Sequence, residues 1–130
     1  MVLGAHYLAE FYICNRSKIN NIAFLERVMI EATKLSGANI IKHFFHKFNP
    51  QGISGVIVIA ESHFAIHTWP EHRYAAVDLF SCADFNFKAA LNHIRININS
   101  EYHSISLARR GILTASGDPR PCEWVTIDIL

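Results

Sequence analysis

A chain of 130 residues with 51% hydrophobic and 18% charged side chains has the composition of one globular domain, able to bury roughly two thirds of its unfolded surface without metals or disulfides. A formal charge of +1 and the lack of a long basic run argue against a nucleic-acid binder. No apolar run nears the roughly 20 residues of a membrane span, so no membrane partner is expected. Cys14, Cys82 and Cys122 form an odd set without a CxxC pair, and the N-terminus lacks the cationic lead-in of a signal peptide. Both features place the expected compartment in the cytoplasm. Eight histidines are many for this length; a pH-sensitive or metal-bearing site could collect them, against a background of scattered surface groups.

In chain order, residues 6–13 are rich in aromatic and aliphatic side chains and predict a first strand. Ser17 is a good N-cap for a helix in which Ile22, Leu25, Val28, Met29, Ala32 and Leu35 recur at helical spacing, and Gly37 stops it. Residues 39–48 alternate imperfectly and predict a strand, joined through Asn49-Pro50-Gln51-Gly52 to another at 53–60. Strands follow at 63–69, closed by Pro70, and at 74–81 after a short loop. Asp84 can cap a second helix reaching about Ile98, with Phe87, Leu91, Ile94 and Ile98 on one face; its Ile-Asn-Ile-Asn end is ambiguous between helix and strand. Residues 103–107 predict a last strand, and the remainder a loop-like tail. The order implies an α+β class: a two-layer sandwich of a mainly antiparallel sheet with two helices on one face, in a single domain covering 1–130. The uncovered face calls for a second copy of the chain, most economically in an isologous dimer.

Residues 54–82 read SGVIVIAESHFAIHTWPEHRYAAVDLFSC. Here an apolar strand carries Glu61-Ser62 out of the core, and two histidines, a carboxylate and a thiol follow. A serine hydroxyl can attack the preceding carbonyl and turn the peptide into an ester, given a strained peptide, an oxyanion stabiliser and an acid–base group. Elimination then leaves a dehydroalanine, which hydrolyses to a pyruvoyl group. Such a ketone forms a Schiff base with an amine and serves as an electron sink for decarboxylation. From spacing alone each residue also has a bland reading: Phe48 and Cys82 as core, Ser54 as a hairpin residue, Glu71 as a solvated loop charge.

The string ESHFAIHTWPE, followed by YAAVDLF and a cysteine, resembles the processing and catalytic segment of the S-adenosylmethionine decarboxylases, and the resemblance extends over about residues 4–111. It implies a proenzyme that cleaves itself between Glu61 and Ser62 into chains of residues 1–61 and 62–130, with Ser62 converted to the pyruvoyl cofactor. It further implies that Ser54 and His67 assist processing, and that Cys82 reprotonates the substrate carbon after carbon dioxide leaves. Glu71 would hold ribose hydroxyls and Phe48 stack on adenine. The implied product is the aminopropyl donor for spermidine synthesis. The chain departs from the family pattern at His72-Arg73 (usually Tyr-Gly), Ala83 (Gly), Ser81 (more often Thr) and Phe64 (a smaller aliphatic). Several of these border the expected pocket, which leaves open arginine or ornithine as substrate, or an unprocessed, non-catalytic homologue.

Strand parity adds a constraint of its own. Ser62 and His67, five apart, point to opposite faces of a regular strand. Either a bulge brings them together or His67 serves the Ser62 of a second protomer. The family's small members resemble dimers with shared sites, which implies the second arrangement: Ser62 and Cys82 from one protomer, with Phe48, Ser54, His67 and Glu71 from the other. Glu61, His63, His67 and Trp69 fall on one strand face, but His63 and His67 would lie about 13 Å apart by strand rise, so no metal is expected.

Overall fold

The computed structural model describes residues 1–127 and Leu130. Eight strands form one sheet: β1 (Val2–Tyr12), β2 (Ile40–Lys47), β3 (Ile53–Ile59), β4 (Ser62–Trp69), β5 (Tyr74–Ser81), β6 (Tyr102–Leu113), β7 (Pro119–Arg120) and β8 (Glu123–Ile127). Their order is β2-β3-β4-β5-β1-β6-β7, with β8 also on β6, and every pairing is antiparallel. Helices α1 (Ile22–Leu35) and α2 (Phe87–Asn97) pack together on one face. None of the described helices is long and apolar enough to cross a membrane.

The alternation of side chains explains this layering. On β5, Ala75, Val77, Leu79 and Ser81 are buried while the residues between them are half-exposed; β3 buries Ile53, Gly55, Ile57 and Ile59 in the same way. These sets meet Leu25, Val28, Met29 and Ala32 of α1, and Ala90, Leu91 and Ile94 of α2, in one core. Each helix carries a single apolar stripe, so neither could cover both faces of the sheet. The other face is left open.

Several boundaries differ from the sequence expectation. Asn21, not Ser17, caps α1: its side chain accepts from the Phe24 amide at 3.0 Å, while Ser17 precedes a short 3₁₀ turn at Lys18–Asn20 and bonds to Asn15. Asn86, not Asp84, caps α2, by accepting from Ala89 at 3.0 Å. The ambiguous Ile-Asn-Ile-Asn run continues as helix to Asn97 because Ile94 and Ile98 are both fully buried on the core side. The tail is not loop-like. Strand β6 runs on to Leu113, and β8 adds to its edge, seating Ile127 against the core.

Gly55 marks where packing is tightest, since a Cβ there would overlap the ring of Phe45 across the β2–β3 pair. Gly55→Ala is therefore expected to cost about 1–3 kcal/mol of stability. A urea titration reads this directly; an unchanged midpoint would show that Phe45 can move aside.

Candidate active site

Strands β3 and β4 are joined by only two residues, Ala60 and Glu61, with Ile59 and Ser62 as the last cross-strand pair. Two-residue hairpin turns need positive φ and so favour glycine or asparagine. Here Glu61 has φ 82° and Ser62 φ 139°, although neither is glycine. Such conformations cost about 1–3 kcal/mol each and persist only where the surroundings over-determine them. The peptide between Glu61 and Ser62 is thus strained on both sides. The apolar strand-like stretches at 53–60 and 63–69, split by so short a gap, carry the sequence signal for this turn.

The turn brings in a thiol. Cys82, just past β5, donates to the Glu61 carbonyl oxygen at 3.5 Å and to its Oε2 at 3.5 Å. Ser62 itself pairs in register with Ser81. Glu61, Ser62 and Cys82 therefore form one cluster. These residues fit a pyruvoyl group, which needs a serine behind a strained carbonyl with a donor at its oxygen. Cys14, by contrast, is fully buried, and that burial pushes its thiol up to about 11.

A second cluster lies along the same hairpin. Ser54 of β3 faces His67 of β4 in register, and their Oγ and Nδ1 atoms are joined at 2.8 Å. Both line a hollow of about 350 Å³ together with Phe48, Trp69 and Glu71. Gln51, which sequence reasoning did not single out, donates to Glu71 Oε2 at 3.2 Å and so fixes that carboxylate.

The two clusters do not meet within one chain. The register of β4 runs unbroken against β3 and against β5, so no bulge lies between Ser62 and His67. Five residues of extended strand separate them by roughly 17 Å, with Ser62 at the end of the sheet where the turn departs from regular strand geometry.

His67 belongs to the open face, and so do His6, His46 and His63, which makes half of the histidines one-sided rather than scattered. On that face His6 Nε2 also meets Asp78 Oδ1 at 3.1 Å. Glu10 accepts from Tyr74 at 2.7 Å, Tyr12 at 2.8 Å and Ser104 at 3.0 Å, and the hydroxyls of Tyr74 and Tyr12 hold its carboxyl below the usual carboxylate range. Among the described residues no three His, Cys, Asp or Glu side chains converge as metal ligands.

Residues 5–111 match the family model described as S-adenosylmethionine decarboxylase. The chain belongs to that family. An S-adenosylmethionine decarboxylase proenzyme of Clostridium kluyveri is 46% identical over 111 residues, covering 85% of this chain and 88% of the relative. One from Thermoanaerobacter sp. is 45% identical, over 85% and 90%. Among solved structures, the adenosylmethionine decarboxylase of Aquifex aeolicus superposes with a TM-score of 0.79 at 33% identity, over 90% of this chain and 98% of that one. A Trypanosoma brucei AdoMetDC monomer shares the fold alone, with a TM-score of 0.61 at 15% identity over 80% of this chain and 45% of that one. The family match stops short of β7 and β8.

The three free cysteines should separate in reactivity. With a thiol-specific reagent at neutral pH, exposed Cys82 and Cys122 are expected to react fast, and buried Cys14 only on unfolding. Three fast thiols in folded protein would contradict the placement of Cys14.

Proposed function

We propose that the chain is a self-cleaving S-adenosylmethionine decarboxylase that supplies the aminopropyl donor for spermidine synthesis. The observation that carries this reading is the strained Glu61-Ser62 turn with the Cys82 thiol at its carbonyl oxygen. The Ser62 hydroxyl attacks the Glu61 carbonyl carbon, forming a C–O bond. Collapse breaks the C–N bond, and the serine nitrogen leaves as an amine that takes up the proton. The Cys82 thiol donates to the oxyanion in between. Loss of the Ser62 Cα proton to His67 then breaks the Cβ–O bond, freeing Glu61 as a carboxylate. The remaining dehydroalanine takes up water and loses ammonia. A pyruvoyl group formed at Ser62, held beside Glu61 and Cys82, would supply a carbonyl that acts as an electron sink for decarboxylation.

Substrate recognition is assigned to the second cluster. Phe48 is half exposed and free to stack on a purine, with His46 set edge-on to its ring at 4.7 Å. Glu71, held by Gln51, would take the ribose hydroxyls. A hollow of about 350 Å³ is near the lower limit for a nucleoside-sized ligand, which suits one wall of a pocket better than the whole. We therefore propose an isologous homodimer whose open sheet faces meet, so that His67, Ser54, Phe48 and Glu71 of one protomer complete the Ser62 and Cys82 of its partner. The free cysteines support a reducing, cytoplasmic setting. No observation favours arginine or ornithine as substrate, and the joint placement of the strained turn, the thiol and the Ser54–His67 pair speaks against an unprocessed binding homologue.

Purified protein should run as fragments of 61 and 69 residues, the larger with a blocked N-terminus, and Ser62→Ala should stay intact and inactive. Release of carbon dioxide from S-adenosylmethionine, and not from arginine or ornithine, would complete the assignment; wild-type protein that keeps its full mass on long incubation would defeat it. The sequence reading gives Cys82 a part only after decarboxylation. With the thiol at the scissile carbonyl, Cys82→Ala is expected to slow cleavage by up to about 10²-fold, the lower end for losing an oxyanion donor. It should also lower turnover by about 10²- to 10⁴-fold as a missing acid.

Complementation checks the shared site. In heterodimers of Ser62→Ala with His67→Ala, one site carries both lesions and the other neither, so part of the His67→Ala chains should cleave. If no chain cleaves in verified heterodimers, His67 acts in cis.

A further inference from the structure

The tail beyond the family match builds a surface of its own. Val125 and Ile127 of β8 face the helix side, where Ile127 packs on the core, so the strand is pinned to the sheet. Alternation then turns Trp124 to the open face, and it remains 62% exposed. In register it stands beside Ala108 of β6, which in turn stands beside His6 of β1, Phe80 of β5 and His63 of β4. Trp124 thus ends a row that crosses the sheet to the neighbour of Ser62. It also walls a hollow of about 290 Å³ with Leu8, Tyr74, Ala76, Asp78 and Glu10.

An exposed tryptophan on a strand paired into the sheet, beside a hollow lined by both apolar and polar side chains, is the kind of feature that anchors an interface. We propose that Trp124 docks on a second copy of this chain, so that the tail enlarges the dimer contact beyond what the family segment supplies. This inference rests on the open-face dimer proposed above. Two observations select a second copy over a foreign partner. Trp124 is continuous with the face that must be covered to bring His67 to Ser62. That face also carries both charge signs, the carboxylates of Glu10 and Asp78 against Arg110, whose guanidinium lies over the Phe80 ring at 4.7 Å. A surface with both signs can be complementary to itself about a two-fold axis, and each substitution then removes two anchors at once.

Sedimentation equilibrium of the full chain tests this, with Ser62→Ala in the background so that cleavage does not intervene. Trp124→Ser is expected to raise the dimer dissociation constant by about 100-fold, the loss of two anchoring side chains, and Trp124→Phe by much less. In the chain with Ser62 intact, Trp124→Ser should make the self-cleavage rate depend on protein concentration, whereas a purely local role of Trp124 would leave that rate independent of dilution. Equal dissociation constants for Trp124→Ser and its parent overturn the anchor while leaving the shared-site dimer standing. A monomeric parent overturns both.

Discussion

The two-residue turn between β3 and β4 is the constraint on which the rest depends. It cannot relax by slipping, because β4 is gripped on both sides: by β3 through Ser62–Ile59 and by β5 through Ser62–Ser81. A slip of one residue would turn Phe64, Ile66 and Thr68 out of the core and bring Ala65 and His67 in. Burial of a Phe or Ile side chain contributes about 1.5–3 kcal/mol. The strain at Glu61 and Ser62 costs about 1–3 kcal/mol apiece. Two large side chains plus the hydrogen bonds of two ladders outweigh that cost, so packing holds the peptide in a conformation that it would leave if free.

The same alternation divides the chemistry between two places. Whatever register buries Phe64 and Ile66 places His67 on the face that the helices do not cover. A histidine there can meet its Ser54 partner directly across the strand pair, and does, at 2.8 Å. It cannot also reach Ser62 at the far end of the strand. With two helices committed to one face, the open face is where the proposed second chain would supply what is missing. Dimerisation and site completion are then one requirement, which is why the proposal joins them.

Much of this was legible beforehand. Apolar strand-like runs at 53–60 and 74–81, and helical spacing from Ile22 to Leu35, specify the elements, because apolar patterning reports burial directly; which side of each strand is buried was settled by the sheet. Cap positions were less legible: Ser17 and Asn21 are both capable acceptors, and the choice fell to Asn21 through a 3₁₀ turn whose buried Ile19 is a tertiary matter. The tail misled for a similar reason. Pro119, Pro121 and Gly117 read as loop, yet an unpaired edge on β6 was available, and β8 paired with it. Cys82 was found by resemblance, but its contact with the Glu61 carbonyl depends on where the β5 end meets the turn, which no spacing encodes. Gln51 carried no signal at all.

The departures from the family pattern bear on the substrate less than their positions in the sequence suggest. Phe64 is fully buried against Phe85 and faces the helices, so its bulk is spent on the core and not on a pocket. Ser81 is buried too, and its hydroxyl accepts from the Ala83 amide at 3.0 Å. Arg73 takes the left-handed conformation that a glycine would adopt freely, at φ 51°. It is held there by two bonds to Cys14, its own carbonyl accepting from the Cys14 amide and its Nε donating to the Cys14 carbonyl. That clasp ends the 3₁₀ turn at Pro70–His72, the turn that carries Glu71. Glu71 can therefore keep its place beside Gln51 and Phe48 even though the glycine is gone. Phe64, Ser81 and Arg73 are thus absorbed by packing and clasp, and none of the three lines the wall proposed to read adenine and ribose.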